Sequence, residues 1–462
     1  MKTQRKIEGL YELTSDAHDS IRSSPYYNED LAPTHIEKRT WTTYSMATLW
    51  IGMSISTSAY MLPASLVAVG FSWWQAILTV TLGNIFVLVP IILNAHAGTK
   101  FGIPFPVFAR LSFGVRGSNI AAIARAITGA GWFGIQCWLG SEALNSILST
   151  FSSGWAAWDF NSAAAFAMFW ALNVYIIYRG PETIRFMESW GSPLLIVLCL
   201  SLLVWSVSQV FAMGKGFSDI LASMPTTIAP DAFWPTFLGG LMANIAYWAT
   251  LALNIPDFSR YAKNQSSQVK GQLIGLVPAM FGIAVIGTIV TGAVFVTTGK
   301  IIWDPVQVVE NSGNPMMVLL GAIGLVIATL TTNIAANAVA TSNDISNLDP
   351  HRISFRRASL ITGALGVIIM PWKLLSSAGA YVFGWLGTFV PALSFLANIG
   401  WVLGFVLAIV LYPLLMKGEK GSILTEEEDE IITEYGESVV LPAKESNSAG
   451  AVAGEAMRVR SE

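Results

Sequence analysis

The chain has 462 residues and a formal net charge of -3; 53% of it is hydrophobic and 12% charged, with a mean hydropathy of +0.56. An ordinary soluble domain carries about 25% charged residues, so this composition excludes a soluble globular protein and points to a polytopic membrane protein. The two cysteines, Cys137 and Cys199, fall inside apolar runs, which argues against a disulfide framework and a thiolate metal site.

The first 40 residues carry charge (Gln4 to Lys6, Glu37 to Thr40) but no apolar core followed by a small-residue cleavage site. A cleaved signal peptide is therefore not expected. Apolar runs then recur from Tyr44 to Met416, each long enough to cross a hydrocarbon core about 30 Å thick as a helix. They lack the alternation of barrel strands, and lipid requires every backbone amide to be paired within its own segment, so helices are expected throughout.

In chain order the spans fall at 44–69, 74–94, 119–149, 161–178, 192–213, 235–255, 272–298, 315–341 and 357–373, followed by a long apolar stretch, 374–416. Counting that stretch as two gives about 11 spans. Lys and Arg collect in the segments 95–118, 178–190, 256–271 and 342–357, whereas the alternate loops carry one or none. The positive-inside rule then makes the N-terminus and the basic loops cytoplasmic. Three regions follow: a cytoplasmic N-terminal segment 1–40, a transmembrane domain 41–416, and an acidic tail 417–462, whose TEEEDE run (Thr425 to Glu430) and Ser/Ala/Gly-rich end read as largely disordered. Two spans in 374–416 put the tail outside; one span with a re-entrant piece puts it inside, where Lys417 and Lys420 fit better.

Polar residues break the apolar pattern in four spans. The first contains WIGMSISTSAYMLP, Trp50 to Pro63, with Gly52, Ser54, Ser56, Thr57 and Ser58 at its centre; the sixth contains GGLMANIAYWATLALNIP, Gly239 to Pro256, with Asn244 near its middle. Interrupted segments at corresponding places in two halves are the sequence mark of a midplane transporter site, while close helix packing by small residues is the competing explanation. In the third span Trp132 and Gln136 are four apart and share a face, which joins an aromatic plane to a primary amide. An interfacial aromatic belt competes for the tryptophan, but not for a glutamine deep in a span. In the eighth span Asn333 and Asn337 also share a face, and Thr331 and Thr332 precede them. Neutral hydroxyl oxygens suit a weakly held monovalent cation, and amides suit the N–H and C=O edge of a polar heterocycle, while hydrogen bonding between helices would explain one or two of the four without a ligand.

No carboxylate is expected at mid-membrane: Glu142 and Glu188 lie toward span ends, and Asp257 with Arg260 at a cytoplasmic helix end. That argues against a carboxylate proton relay. His18, His35, His96 and His351 are expected in loops or the N-terminal segment, solvated. Without a phosphate loop, zinc motif or nucleophile–base set, an enzyme is the least favoured class, no cofactor is implied, and no nucleic-acid partner is expected.

Together NEDLAP and EKRTW, NAHAGTKFGIPFPVFARLSFGVRGSNI, GWFGIQCWLG, NIPDFSRYAK, TTNIAAN, NDISNLDPHRISFRRASLITG and MPWKLL, in this order from Asn28 onward, resemble the nucleobase:cation symporter-1 family. The resemblance implies an all-α, leucine-transporter-like fold: five spans repeated inverted, with helices one and six broken. It implies carriage into the cell, across the plasma membrane, of a flat nitrogen heterocycle such as uracil, cytosine, a purine, allantoin or a hydantoin, with sodium or a proton. Carried over by position, Trp132 and Trp248 would stack on the ring, Gln136, Asn337 and Asn333 would bind its edge, and Ser56 would face it. Sodium would sit among the carbonyls of Gly52, Ile55 and Ala328 and the hydroxyls of Thr331 and Thr332. The chain departs from the pattern after GWLGTF, Gly384 to Phe389, which runs directly into VPALSF, so that part of span ten and span eleven look missing. A binder or sensor that does not cycle is the alternative function this departure leaves open.

Overall fold

The computed structural model describes residues 2–7, 9–179, 181–374, 410 and 438–439. The expectations placed on 375–416, the junction after Phe389 and most of the acidic tail lie outside the described residues. Within them, six helices are long and apolar enough to span a membrane, or seven if one bent pair counts as a single span. A small antiparallel sheet of order β2-β1-β3 (β1 Lys2–Ile7, β2 Leu10–Leu13, β3 Ser438–Val439) brings two tail residues beside the N-terminus.

The bent pair is the first span. Helix α1 (Thr43–Ser54) is closed at its start by a Thr42/Ser45 capping box and stops at Ile55, and α2 (Thr57–Ala68) begins after Ser56, turned by 54°. Extended backbone at Ser56 (φ -139°, ψ 158°) lets its hydroxyl accept from Ala59 N and cap the second half. A serine cap replaces one lost intrahelical bond, so the run that looked like a packing seam instead stops one helix and starts another.

The basic 95–118 segment is mostly helical, not loop. Helix α3 (Trp73–Phe101) ends at Gly102, which takes the left-handed conformation (φ +71°), and α4 (Phe105–Phe151) starts after Pro104. Glycine tolerates that cap without strain and proline cannot continue a helix, so Gly102–Ile103–Pro104 is the whole connection. His96 thereby lies near the end of α3, exposed, and not in a loop. Helix α4 turns at Gly114 (φ +70°) and continues through Trp132 and Gln136. Gly134 packs backbone to backbone against Gly366, where a Cβ would collide with the Gly366 carbonyl.

Helices α5 (Asn161–Arg179), α6 (Pro181–Ala212), α7 (Phe233–Asn254) and α8 (Gln265–Thr298) follow. The sixth span, α7, runs unbroken through Asn244, whose Nδ2 turns back to Gly240 O at 2.8 Å. Its interruption falls at Ile255, where a short turn Pro256–Ser259 begins. The eighth span is composite: α9 (Pro315–Thr332), a π-helical turn Asn333–Val339, then α10 (Ala340–Ser346), with α11 (Phe355–Ile368) after it. The main core joins α1, α2, α3, α7 and α8, and a second cluster joins α4, α5 and the eighth span.

Candidate functional site

The break in α1–α2, the middle of α4, the end of α7 and the π turn converge. Trp132, Gln136, Tyr247, Trp248, Thr332, Ala336 and Asn337 line a small cavity of about 20 Å³, room for roughly one water. Trp132 is half-buried; Gln136, Trp248 and Asn337 are buried. Tyr247 fills the space between the tryptophans, edge-on to Trp132 (5.3 Å) and to Trp248 (4.8 Å), and Trp248 meets Trp50 edge-on at 5.3 Å.

A hydroxyl chain closes the side toward the helix break. Gln136 Nε2 donates to Ser58 Oγ at 2.7 Å, Ser58 shares a 2.7 Å hydrogen bond with the Tyr247 hydroxyl, and Ser56 lies 3.2 Å from that hydroxyl. Two buried atoms of the cavity wall have no partner among the described residues: Gln136 Oε1, an acceptor, and Trp248 Nε1, a donor. Asn333 does not reach the cavity. Its Nδ2 donates to Asn173 Oδ1 (3.1 Å), Phe133 O (3.2 Å) and Cys137 Sγ (3.4 Å), and its Oδ1 accepts from Asn337 Nδ2 at 3.0 Å.

The five groups expected around sodium also meet. Thr332 Oγ1 donates to Gly52 O at 3.4 Å, Thr331 Oγ1 donates to Ala328 O at 3.1 Å, and Ile55 packs with Ala328 beside the break. Thr57 and Thr329, at 2.8 Å, tie the same two spans one turn away.

Tyr247, Asn173, Arg125 and Asp344 were not singled out from the sequence as functional, and Ser58 was named only as part of the hydroxyl-rich centre of the first span. Tyr247 could have been suspected from its place beside Trp248. Asp344 was hidden because the eighth span runs to Ser346, five residues beyond its expected end at 341, which puts this carboxylate inside the helix and not in a basic loop. It is fully buried. Asn254 Nδ2 lies 3.3 Å from both of its oxygens and 3.1 Å from Asp257 Oδ2. The guanidinium of Arg125, on α4, donates to Thr250 O, Thr341 Oγ1 and Ala336 O at 3.2–3.4 Å. Asp344, expected in a basic loop, is therefore a buried carboxylate at the end of a span, and not one at mid-membrane.

A second, larger cavity of about 580 Å³ lies beyond Ala335, Val339 and Asn343 and is roofed by the N-terminal segment, including His18, Tyr27, Asp30 and His35. His18 and His35 stack at 5.0 Å, and His35 Nδ1 meets Glu12 at 3.0 Å, so neither is a freely solvated histidine. Burial, with His35 as the second cause, holds His18 below its usual pKa. Arg39 fastens this segment to the end of α3 through Tyr11 O (2.7 Å), Thr34 O and Thr99 O (3.2 Å), and burial pulls its pKa down to about 10.

A discontinuous first span and a composite eighth span around a buried polar cavity define a leucine-transporter-like polytopic membrane protein. The structure superposes on that of Mhp1, a nucleobase-cation-symport-1 family transporter in a closed conformation with bromovinylhydantoin bound, with a TM-score of 0.67 at 24% identity, over 81% of this chain and 80% of that one. Residues 33–413 match the family described as permease for cytosine/purines, uracil, thiamine, allantoin, and the chain belongs to it. Its relatives include the purine-uracil permease NCS1 of Arabidopsis thaliana, 39% identical over 81% of this chain, and the allantoin permease of Bacillus subtilis, 38% identical over 79%. The chain spans 63% of the length of the first and 76% of the second.

Proposed function

We propose that the protein is a secondary transporter that moves a planar nitrogen heterocycle into the cell across the plasma membrane, coupled to sodium in preference to a proton. The observation that carries this reading is the cavity wall. Trp132, Gln136, Trp248 and Asn337 come from three separate spans and line one space, and that wall leaves a buried acceptor and a buried donor without protein partners. Each unsatisfied buried group costs about 1–3 kcal/mol, which a ligand carrying both N–H and C=O recovers. Stacking between indoles adds about 0.5–1.5 kcal/mol beyond burial. The names of the relatives, which speak of purine, uracil and allantoin, support the same substrate class.

Sodium is the cargo that the neutral oxygens of Gly52, Ile55, Ala328, Thr331 and Thr332 suit; no group of three or more His, Cys, Asp or Glu that could hold a metal occurs among the described residues. The wide cavity lies on the side of the N-terminal segment, which roofs it and which the Lys/Arg distribution makes cytoplasmic, so the larger space of this conformer is on the inward side. Its central space admits no heterocycle until the Tyr247 ring withdraws. We keep 1–40 as the cytoplasmic segment, 41–416 as the transporter domain and 417–462 as an appendage.

The test is equilibrium binding of labelled uracil, allantoin, cytosine and hydantoin to purified protein in sodium and in choline, followed by counterflow in vesicles. Saturable binding that sodium tightens, with exchange across the vesicle wall, is the expected result. Binding of none of these rings would sink the site assignment, and binding without exchange would sink the transport cycle.

A further inference from the structure

Three buried amides run from the scaffold to the cavity, and their direction is set by groups that cannot reverse. Asn173, fully buried on α5, donates Nδ2 to Phe169 O at 2.9 Å. A backbone carbonyl only accepts, so the nitrogen must face it and the Asn173 oxygen must face the eighth span. There it meets Asn333 Nδ2, which a second backbone carbonyl, Phe133 O, holds in the same sense. Asn333 Oδ1 is thereby turned to Asn337 and accepts its Nδ2. Amide orientation is a property of the network and not of a single residue, and here both anchors lie outside it.

We propose that Asn173 is a positioning residue that fixes the polarity of this relay, so that Asn337 meets the substrate with its carbonyl oxygen and the site selects rings bearing a lactam or imide N–H. The proposal rests on the heterocycle reading above. No hydrogen bond among the described residues reaches Asn337 Oδ1, and across the cavity Gln136 commits one N–H of its amide to Ser58 and leaves its oxygen unpartnered. Two amides that could each have presented a donor both present an acceptor. A ring nitrogen that carries a lone pair in place of a hydrogen would face an oxygen lone pair, and a buried mismatch of that kind is a strong source of rejection.

The probes are uracil, whose ring edge has an N–H between two carbonyls, and cytosine, whose corresponding nitrogen is an acceptor; the two have nearly the same size. Wild-type protein is expected to bind uracil at least about tenfold more tightly, about 1.4 kcal/mol. Asn173→Leu removes one of the two acceptors that hold Asn333 Nδ2 and leaves only Phe133 O, so the ratio should fall below that of wild type. Asn173→Asp should preserve it, because a neutral carboxyl can donate to Phe169 O and still accept from Asn333. As a readout without ligand, the losses of thermal stability from Asn173→Leu and Asn333→Leu should be strongly non-additive, since both break one chain. A preference for cytosine, an unchanged ratio in Asn173→Leu, or additive losses overturns the relay while the transporter reading stands. Binding of neither ring by wild-type protein overturns the selectivity together with the reading on which it rests.

Discussion

The two walls of the cavity are built to different standards of hydrogen bonding. On the side of α4, α5 and the eighth span, the amides of Asn173, Asn333 and Asn337 are joined to one another and to backbone carbonyls. On the side of α1, α7 and α8, buried atoms of Trp50, Ser54, Asn244, Trp248, Gln272 and Thr288 have no partner among the described residues, whereas on the first side Gln136 Oε1 and Ser346 Oγ are exceptions to a joined network. Nearly all buried polar groups in native proteins find partners, so the second wall reads as one whose partners come from outside the chain: water, cargo or a different arrangement of helices. The first wall is a reference frame and the second is the part that responds. The same contrast appears in the backbone, where the responsive side carries the 54° break and the other the π turn.

The largest expected effect breaks the frame. Asn333→Leu strands Asn173 Oδ1 and Asn337 Nδ2 in a buried space, while Phe133 O keeps its helical bond, and should cost about 2 kcal/mol or more at about 1–3 kcal/mol for each orphaned group. Asn244→Leu on the opposite wall should cost less than about 1 kcal/mol, because that amide only closes on its own helix and already leaves one atom unsatisfied. Thermal unfolding in detergent compares the two, and equal losses would erase the distinction between the walls.

Next come the contacts with the ligand. Trp132→Ala and Asn337→Ala should each weaken heterocycle binding at least about tenfold, about 1.4 kcal/mol, in equilibrium binding with a labelled ring. Unchanged affinity in both would remove the cavity from the mechanism. Thr332→Val tests the junction of the walls, since its hydroxyl reaches Gly52 O across the break. Binding should then become equal in sodium and in choline while the sodium-free affinity stays within about threefold of wild type.

The smallest effect lies outside both walls. Asp304 caps a short extramembrane turn through Val306 N at 2.9 Å, yet burial, helped by nearby Glu310, pushes its pKa up to about 6. A carboxyl whose folded pKa exceeds its unfolded value of about 3.9 binds protons more strongly when folded, so stability falls as pH rises from about 4 to 6. Asp304→Asn should flatten that part of the thermal stability profile and leave heterocycle binding unchanged.

Much of the site was legible because it is written in local spacings. Trp132 and Gln136 share a helix face by their separation of four, and the SISTS run announced a break that serine caps then made. The relationships across helices were not legible. Asn333 shares the spacing of Asn337 and was expected at the substrate, but the π turn and the approach of α5 direct it at Asn173 instead. Asn244 sits in as glycine-rich a setting as the first break, yet its helix continues, with its amide folded back onto Gly240 O. Asp344 was assigned to a loop because apolarity fades after Val339, whereas in the structure Asn254 Nδ2 meets both oxygens of this carboxyl group inside the helix.

Sequence by itself determined the membrane class, the positions of most spans, the discontinuity of the first, and which polar residues lie in lipid-length runs. Those properties follow from hydropathy, helix periodicity and capping chemistry, which act over a few residues. Tertiary structure alone decided which amides meet one another, which of their ends faces the cavity without a protein partner, and that Tyr247 occupies the space between the tryptophans. These depend on side chains distant in sequence being brought within about 3 Å, and a hydrogen bond at that range has a direction that no local pattern encodes.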